Sequence, residues 1–366
     1  MKLLPLYFSA FSAQCPDTDL QKLCSDKCTD LLNECVEDCG NDTSCQSRCQ
    51  GTWLDCLNEC PCNSGCPNGC MVCSNPVCGG TGFGLILNER WGSSNRAYSL
   101  NLATDEIRVA QVSYNDFAFD MEDTCTVIFR GQTWFLGGYF NERKIANLVG
   151  CSVVPKSYVL TVGHIDGVYG SCGALNNEVY MCFGHENLGE DVCTRWDGEN
   201  QTVVQQRSTK YHDWSSMINY QDQLMTVGGC GSIIDCNNMV EFYTEEGGWK
   251  TGANFPRWEI YGHTLTTDGA GIYLFGGKVR GAVNSQVYRL LDGEWSELGY
   301  VKQVLTGALV NSAFQMGRNA YVGKEYLEKF TLTSDNVESE SIYAPDTNDL
   351  NLYYSPMIFS DTIMCA

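Results

Sequence analysis

Of the 366 residues only four are histidine, His164, His185, His212 and His263. Little imidazole is therefore on hand for metal or proton-transfer chemistry, and no HExxH segment, nucleophile elbow or phosphate-cradling glycine loop occurs. Basic residues are scarce too: 23 Lys and Arg stand against 44 Asp and Glu, a formal net charge of −21. Such a chain repels phosphate backbones, so nucleic acid is not an expected partner. No stretch approaches 18 consecutive apolar residues, and no membrane span is expected. Acidic clusters such as Asp116, Asp120, Glu122 and Asp123 lack the ordered spacing of a calcium loop and read as solvated surface. Neither a metal nor a cofactor is implied.

Cysteine, by contrast, is abundant, with 22 residues. Eight of them form two copies of C-x3-C-x6-C-x3-C. Paired as Cys24 with Cys60, Cys28 with Cys56, Cys35 with Cys49 and Cys39 with Cys45, their position numbers have a common sum of 84. On an α-helix each copy places its four thiols along one stripe, since residues turn by roughly 100° each. Two such stripes facing each other make a disulfide-laddered helical hairpin over about 18–39 and 44–60, turning at Gly40–Ser44, where Gly40 ends one helix and Asp42, Thr43 or Ser44 caps the next. Zinc is the competing reading, but C-x3-C without a nearby histidine departs from the common zinc knuckle. Residues 1–13 read as a short signal peptide, with Lys2 before the apolar stretch Leu3 to Phe8 and the small residues Ser9, Ala10, Ser12 and Ala13 at the cleavage region. Asn41 and Asn200 head glycosylation sequons. Together these features predict a secreted, oxidised glycoprotein.

Composition divides the chain near residue 80. Fourteen of the 22 cysteines precede Gly79, and the rest of the chain is rich in Gly, Tyr, Trp and Val. Residues 14–60 are expected to be the cysteine-rich hairpin, 61–80 a connector stapled by its own cysteines, and 81–366 a larger β domain. In that domain Cys172 and Cys182 flank the turn signal Asn176-Asn177, which predicts a bridge between them, and Cys230 and Cys236 are expected to close a short loop beside Gly228-Gly229.

Short β-type runs ending in glycine recur as Thr133–Gly138, Val179–Gly184, Gln223–Gly229, Ile272–Gly277 and Ala320–Gly323, with a sixth run at Thr362–Ala366. Their ends lie 46, 45, 48, 46 and 43 residues apart, a period that signals propeller blades. Two repeats add an aromatic and a tryptophan at matched spacing, Phe242-x6-Trp249 and Tyr288-x6-Trp295. With those residues the chain resembles the kelch-repeat β-propellers, whose repeats carry a Gly-Gly pair followed by Tyr-x6-Trp. That resemblance implies a mainly β fold in which the glycines permit tight backbone approach and the aromatics fill the space between blades. Six blades are expected. The segments Phe83–Leu87, Ala97–Ala103 and Asp105–Val112 would supply outer strands to a blade whose inner strands come from the C-terminus. The run Phe83–Arg90 also echoes Phe135–Arg143, which would mark a seventh blade.

The kelch resemblance brings one enzyme class into view, the copper-radical oxidases of galactose-oxidase type. Their metal needs two histidines and two tyrosines, whereas His212 and His263 follow Arg207 and Arg257 in similar settings that read as structural; no catalytic residue is assigned. Tyr211, His212, Trp214, Arg257, Trp258 and Tyr261 fall in two equivalent connections and are the candidate binding residues, suited to a protein partner or a glycan. The expected role is an extracellular structural or assembly protein of a matrix, coat or filament, acting through self-association or an extracellular partner. A secreted recognition protein that binds glycans or a receptor through one propeller face is the alternative.

Overall fold

The computed structural model describes residues 83–360, with breaks at 89–95, 103, 115–123, 131, 138–143, 150, 160–170, 185–190, 232–234, 303–312, 317, 324–326, 334–335 and 343–356. The expected signal peptide, the connector, Asn41 and the run Thr362–Ala366 lie outside the described residues. So does the expected helical hairpin with all eight of its thiols, Cys24, Cys28, Cys35, Cys39, Cys45, Cys49, Cys56 and Cys60. None of its four rungs, Cys24 with Cys60, Cys28 with Cys56, Cys35 with Cys49 or Cys39 with Cys45, is therefore among the bridges described below, which all belong to the β domain. Among the described residues every regular element is a strand and no helix supports the expected hairpin. Six sheets, antiparallel but for one short crossing strand, follow one another along the chain.

Blade 1 contains β1 (Phe83–Asn88), β2 (Arg96–Asn101) and β3 (Glu106–Ala110). The short β4 (Ser113–Tyr114) crosses to pair in parallel with the outermost strand of blade 2, which runs β5 (Cys125–Phe129), β6 (Gln132–Leu136), β7 (Lys144–Val149) and β8 (Ser152–Val159). Blade 3 is β9 (Ser171–Leu175), β10 (Glu178–Cys182), β11 (Cys193–Trp196) and β12 (Gln201–Val203). Blade 4 is β13 (Met217–Tyr220), β14 (Gln223–Val227), β15 (Val240–Thr244) and β16 (Gly248–Thr251). In blade 5, β17 (Tyr261–Thr267), β18 (Ile272–Val279), β20 (Gln286–Leu291) and β21 (Glu294–Tyr300) carry an extra strand, β19 (Ala282–Val283), folded back on β18. Blade 6 is β22 (Ala313–Met316), β23 (Asn319–Gly323), β24 (Leu327–Leu332) and β25 (Val337–Ile342). Finally β26 (Met357–Ser360) pairs with β1, as Ile86↔Met357 through Phe83↔Ser360, and completes blade 1.

Six apolar clusters close the ring, each shared by two neighbouring blades. Leu85 and Leu87 of blade 1 pack with Phe135 and Leu148 of blade 2, and the series continues until Phe314 and Tyr321 of blade 6 pack with Tyr98, Leu100 and Met357 of blade 1. This is a six-bladed β-propeller. The strand Phe83–Asn88 is the second strand of blade 1, as β6 is of blade 2, which explains the likeness of the two runs without a seventh blade. All five complete glycine-ended runs are likewise second strands.

The repeated aromatics stand between blades as expected. Trp249 packs in the seam of blades 3 and 4, its ring 5.3 Å from Tyr243, while Trp295 meets Phe255 edge-on at 5.3 Å in the seam of blades 4 and 5. The glycine pair has a geometric cause. Gly228 and Gly229 have φ of 62° and 90°, and a Cβ on Gly229 would lie 2.6 Å from the His212 backbone. Phe183, at φ 64°, holds the position of the first glycine in blade 3, kept in that conformation by full burial beside a disulfide.

One expected bridge is corrected. Cys172 is joined to Cys125, linking the inner strands of blades 2 and 3, and Cys182 is joined to Cys193 across β10 and β11. The two-residue turn pairs Leu175 with Glu178, so Cys172 faces Met181 and Cys182 faces Ser171. Half a residue separates the midpoint of 172 and 182 from the turn centre. That offset puts the two thiols on opposite faces of the sheet, because side chains alternate along a strand. Cys230 and Cys236 are bridged as expected, with Cα atoms 3.9 Å apart. Three such bridges suit an oxidising, extracellular environment. Non-reducing peptide mapping should recover Cys125 with Cys172, and replacing both by serine should lower stability by about 2–4 kcal/mol in chemical denaturation. A peptide joining Cys172 to Cys182 would refute this connectivity.

Candidate association face

Antiparallel order within each blade sends the loop after the second strand and the connection leaving the fourth strand to the same side of the ring. In blades 4 and 5 that side is built from residues 205–216, 228–231, 235–239, 252–261 and 277–285. It carries all six binding candidates, but in different roles.

Tyr211 is 43 % exposed. Its carbonyl accepts a hydrogen bond from Asn237 Nδ2 at 2.7 Å, and its ring lies against Gly231, where a Cβ would come within 2.1 Å. The Cys230–Cys236 bridge encloses that glycine in a seven-residue loop, so Tyr211 rests on a covalently closed support. Trp214, half-buried, meets Tyr261 edge-on with ring centroids 6.2 Å apart, and its carbonyl accepts the Gly262 N–H at 2.7 Å. Trp258 is 75 % exposed and lies beneath the guanidinium of Arg280 at 4.7 Å. Arg280 and Gly281, at φ 51° and 73°, form the two-residue turn between β18 and β19, a left-handed geometry that suits a tight hairpin.

Arg257 is engaged within its own blade. It donates to Tyr288 Oη at 3.0 Å and to Gln286 Oε1 at 3.0 Å, and Glu297 lies 3.5 Å away. The hydrogen bond to Tyr288 is the leading reason that its pKa is raised.

His212 is no surface ligand, which corrects its place among the binding candidates. It is fully buried, with Nε2 2.7 Å from Glu241 Oε2 and Nδ1 hydrogen-bonded to the Gly228 carbonyl. Both ring nitrogens thus lie against oxygen atoms, which fixes the ring in place. Glu241 is equally buried and also accepts the backbone N–H groups of Thr209 and Lys210 at 3.0 and 3.2 Å. Burial alone would raise its pKa; the hydrogen bonds from His212 and Thr209 outweigh that and hold the carboxyl below its ordinary value. Glu241 therefore anchors the connection that carries Tyr211 and Trp214. Nearby His263, on β17, is fully buried with no hydrogen-bond partner for either nitrogen among the described residues. Desolvation, and secondarily the charge of His212, push its pKa down to about 3.

Sequence reasoning passed over Glu241, Arg280, Val283 and Tyr300. The dipeptide Arg280-Gly281 was a readable turn signal; nothing local distinguishes Glu241 from a solvated glutamate. Asn200 is exposed in the turn between β11 and β12, where Asp197 Oδ1 accepts its backbone N–H at 2.7 Å. Among the described residues no cluster of three or more metal-ligating side chains occurs.

No protein-family model matches this sequence, and none of the curated proteins matches it. Among solved structures, one described as "Structure of YjhT" is similar with a TM-score of 0.52 and 9 % identity, over 67 % of this chain and 91 % of that one. That likeness concerns the fold alone.

Proposed function

We propose that this is an extracellular assembly protein, a kelch-type propeller that acts by associating with copies of itself in a matrix, coat or filament, and that it works without an active site. The observation that carries this reading is where the large apolar side chains are exposed. Seven are exposed among the described residues, and four of them, Tyr211, Trp258, Val283 and Tyr300, lie on the loop side of blades 4 and 5; Val109, Val149 and Val203 are isolated on blades 1, 2 and 3. Aromatic and arginine side chains gathered on one face are the composition of an interaction surface. Disulfide stapling and the sequons at Asn41 and Asn200 suit a durable secreted glycoprotein. Glycan recognition is the second reading, supported by the exposed Trp258 as a stacking platform for a sugar.

The test compares the mature full-length chain with a truncation that begins at Gly79. Sedimentation velocity and electron microscopy of the full chain should reveal concentration-dependent, repeating assemblies, and the truncated propeller should be folded and monomeric. A full-length chain that remains monomeric at high concentration defeats the assembly reading. Saturable binding to a glycan array under those conditions would favour recognition instead.

A further inference from the structure

We infer that the aromatic face of blades 4 and 5 receives the acidic segment 14–60 of a second copy, with Trp258 and Arg280 at the centre of the contact. This rests on the self-association proposed above and names its partner surface. Charge is the first argument. Residues 205–216, 228–231, 235–239, 252–261, 277–285 and 300–302 contain six basic residues, Arg207, Lys210, Arg257, Lys278, Arg280 and Lys302, against the three acids Asp213, Asp235 and Glu259. Two of these cations are already held in ion pairs, Arg207 with Asp191 and Arg257 with Glu297, so with those carboxylates counted the face is net +1 in a chain of net −21, and Lys210, Lys278, Arg280 and Lys302 stand outside those pairs. Segment 14–60 is its complement, with ten Asp and Glu against three Lys and Arg, a net of −7. Opposite fields of this kind steer encounter and set register.

Arg280 supplies the second argument. Among the described residues blade 5 alone extends its second strand into an added hairpin, β18–β19, and the tip of that hairpin holds Arg280 over Trp258. Among those residues, too, the Arg280 guanidinium has no carboxylate within ion-pair distance. The same hairpin exposes Val283 at 41 %, and Tyr300, 64 % exposed, ends the outer strand of that blade. An arginine already stacked on an indole is pre-organised to take a carboxylate in a fork of parallel hydrogen bonds, while the ring and Val283 take apolar side chains of the incoming segment.

The experiment uses the full-length protein and the double variant Trp258→Ala/Arg280→Glu, whose side chains are exposed and whose removal leaves the blade cores intact. Sedimentation equilibrium should give a dissociation constant at least about tenfold weaker for the variant, with circular dichroism and thermal midpoint unchanged. Raising NaCl from about 0.1 to about 0.5 M should weaken wild-type association as the ion pairs are screened. Zero-length carbodiimide cross-linking of a mixture of ¹⁴N- and ¹⁵N-labelled copies should join Lys278 to Asp or Glu residues of segment 14–60 in mixed-isotope pairs. If wild type assembles and the variant assembles equally well, this surface is wrong while self-association stands. Cross-links confined to single-isotope pairs would overturn the second-copy assignment in favour of docking within one chain. A wild-type chain that does not associate removes both.

Discussion

A chain ending at residue 356 should fail to hold a closed ring: its urea midpoint should fall by an amount equal to about 5 kcal/mol or more, and it should elute as aggregates. The strand removed, β26, is the only described element that joins the C-terminal end of the chain to β1. Its loss exposes the β1 edge along Gly84–Ile86, and an unpaired edge is a template for pairing with other molecules. It also withdraws Met357, 5 % exposed, from the cluster that seals blade 6 to blade 1. Burying one such side chain contributes roughly 1.5–3 kcal/mol, and each ladder hydrogen bond adds about 0.5–1.5 kcal/mol. Since whole domains are stable by only about 5–15 kcal/mol, this one strand decides whether the ring persists. The truncation also removes Cys365, so Met357→Asp serves as the companion variant; it keeps that thiol while placing a charge among Tyr98, Leu100 and Phe314. A truncated chain with the wild-type midpoint would show that the ring closes by other means.

Glu241→Ala should cost about 3–5 kcal/mol, because it leaves His212 and two backbone N–H groups without their shared acceptor inside a fully buried site. The same site should make the propeller acid-sensitive. His263 titrates at 6.5 when unfolded and is pushed down to about 3 when folded, so between those values the unfolded chain binds a proton that the folded chain does not. Its contribution is fully present above pH 6.5 and is lost as pH falls, at a limiting slope of about 1.4 kcal/mol per pH unit. Glu241, whose pKa is lowered on folding, contributes stability above its ordinary value of 4.5 that is also lost on acidification. The two effects share a sign, but of the two only the histidine acts above the ordinary carboxyl value of 4.5. Denaturation free energies measured from about pH 7 to about pH 5 should therefore isolate the histidine, and His263→Leu should flatten that part of the profile. Equal slopes for the variant and wild type would mean that His263 is not the acid-sensitive group.

Much of this architecture follows from the chain read residue by residue. A second strand ending in glycine every 45 to 48 residues demands a repeating β unit, since left-handed backbone and close approach recur where a blade meets the incoming connection. The aromatics at matched spacing implied the seams they occupy, because rings of that size need a shared interior. The segments before residue 112 were legible as strands of a blade completed from the C-terminus, since a sheet edge at one end of a repeat must be matched at the other.

What local sequence could not decide is parity and burial. Cys172 and Cys182 straddle a turn almost symmetrically, yet a half-residue offset sends them to different faces, and their partners then come from blade 2 and from β11. His212 reads like its neighbours Tyr211 and Trp214, but only the packing of Gly228 and Glu241 around it turns the ring inward. Arg280 and Trp258 are 22 positions apart, and the β18–β19 hairpin places one over the other. Periodicity reports what repeats along the chain, whereas register and the meeting of distant connections depend on how blades sit against one another, and that is a property of the closed ring.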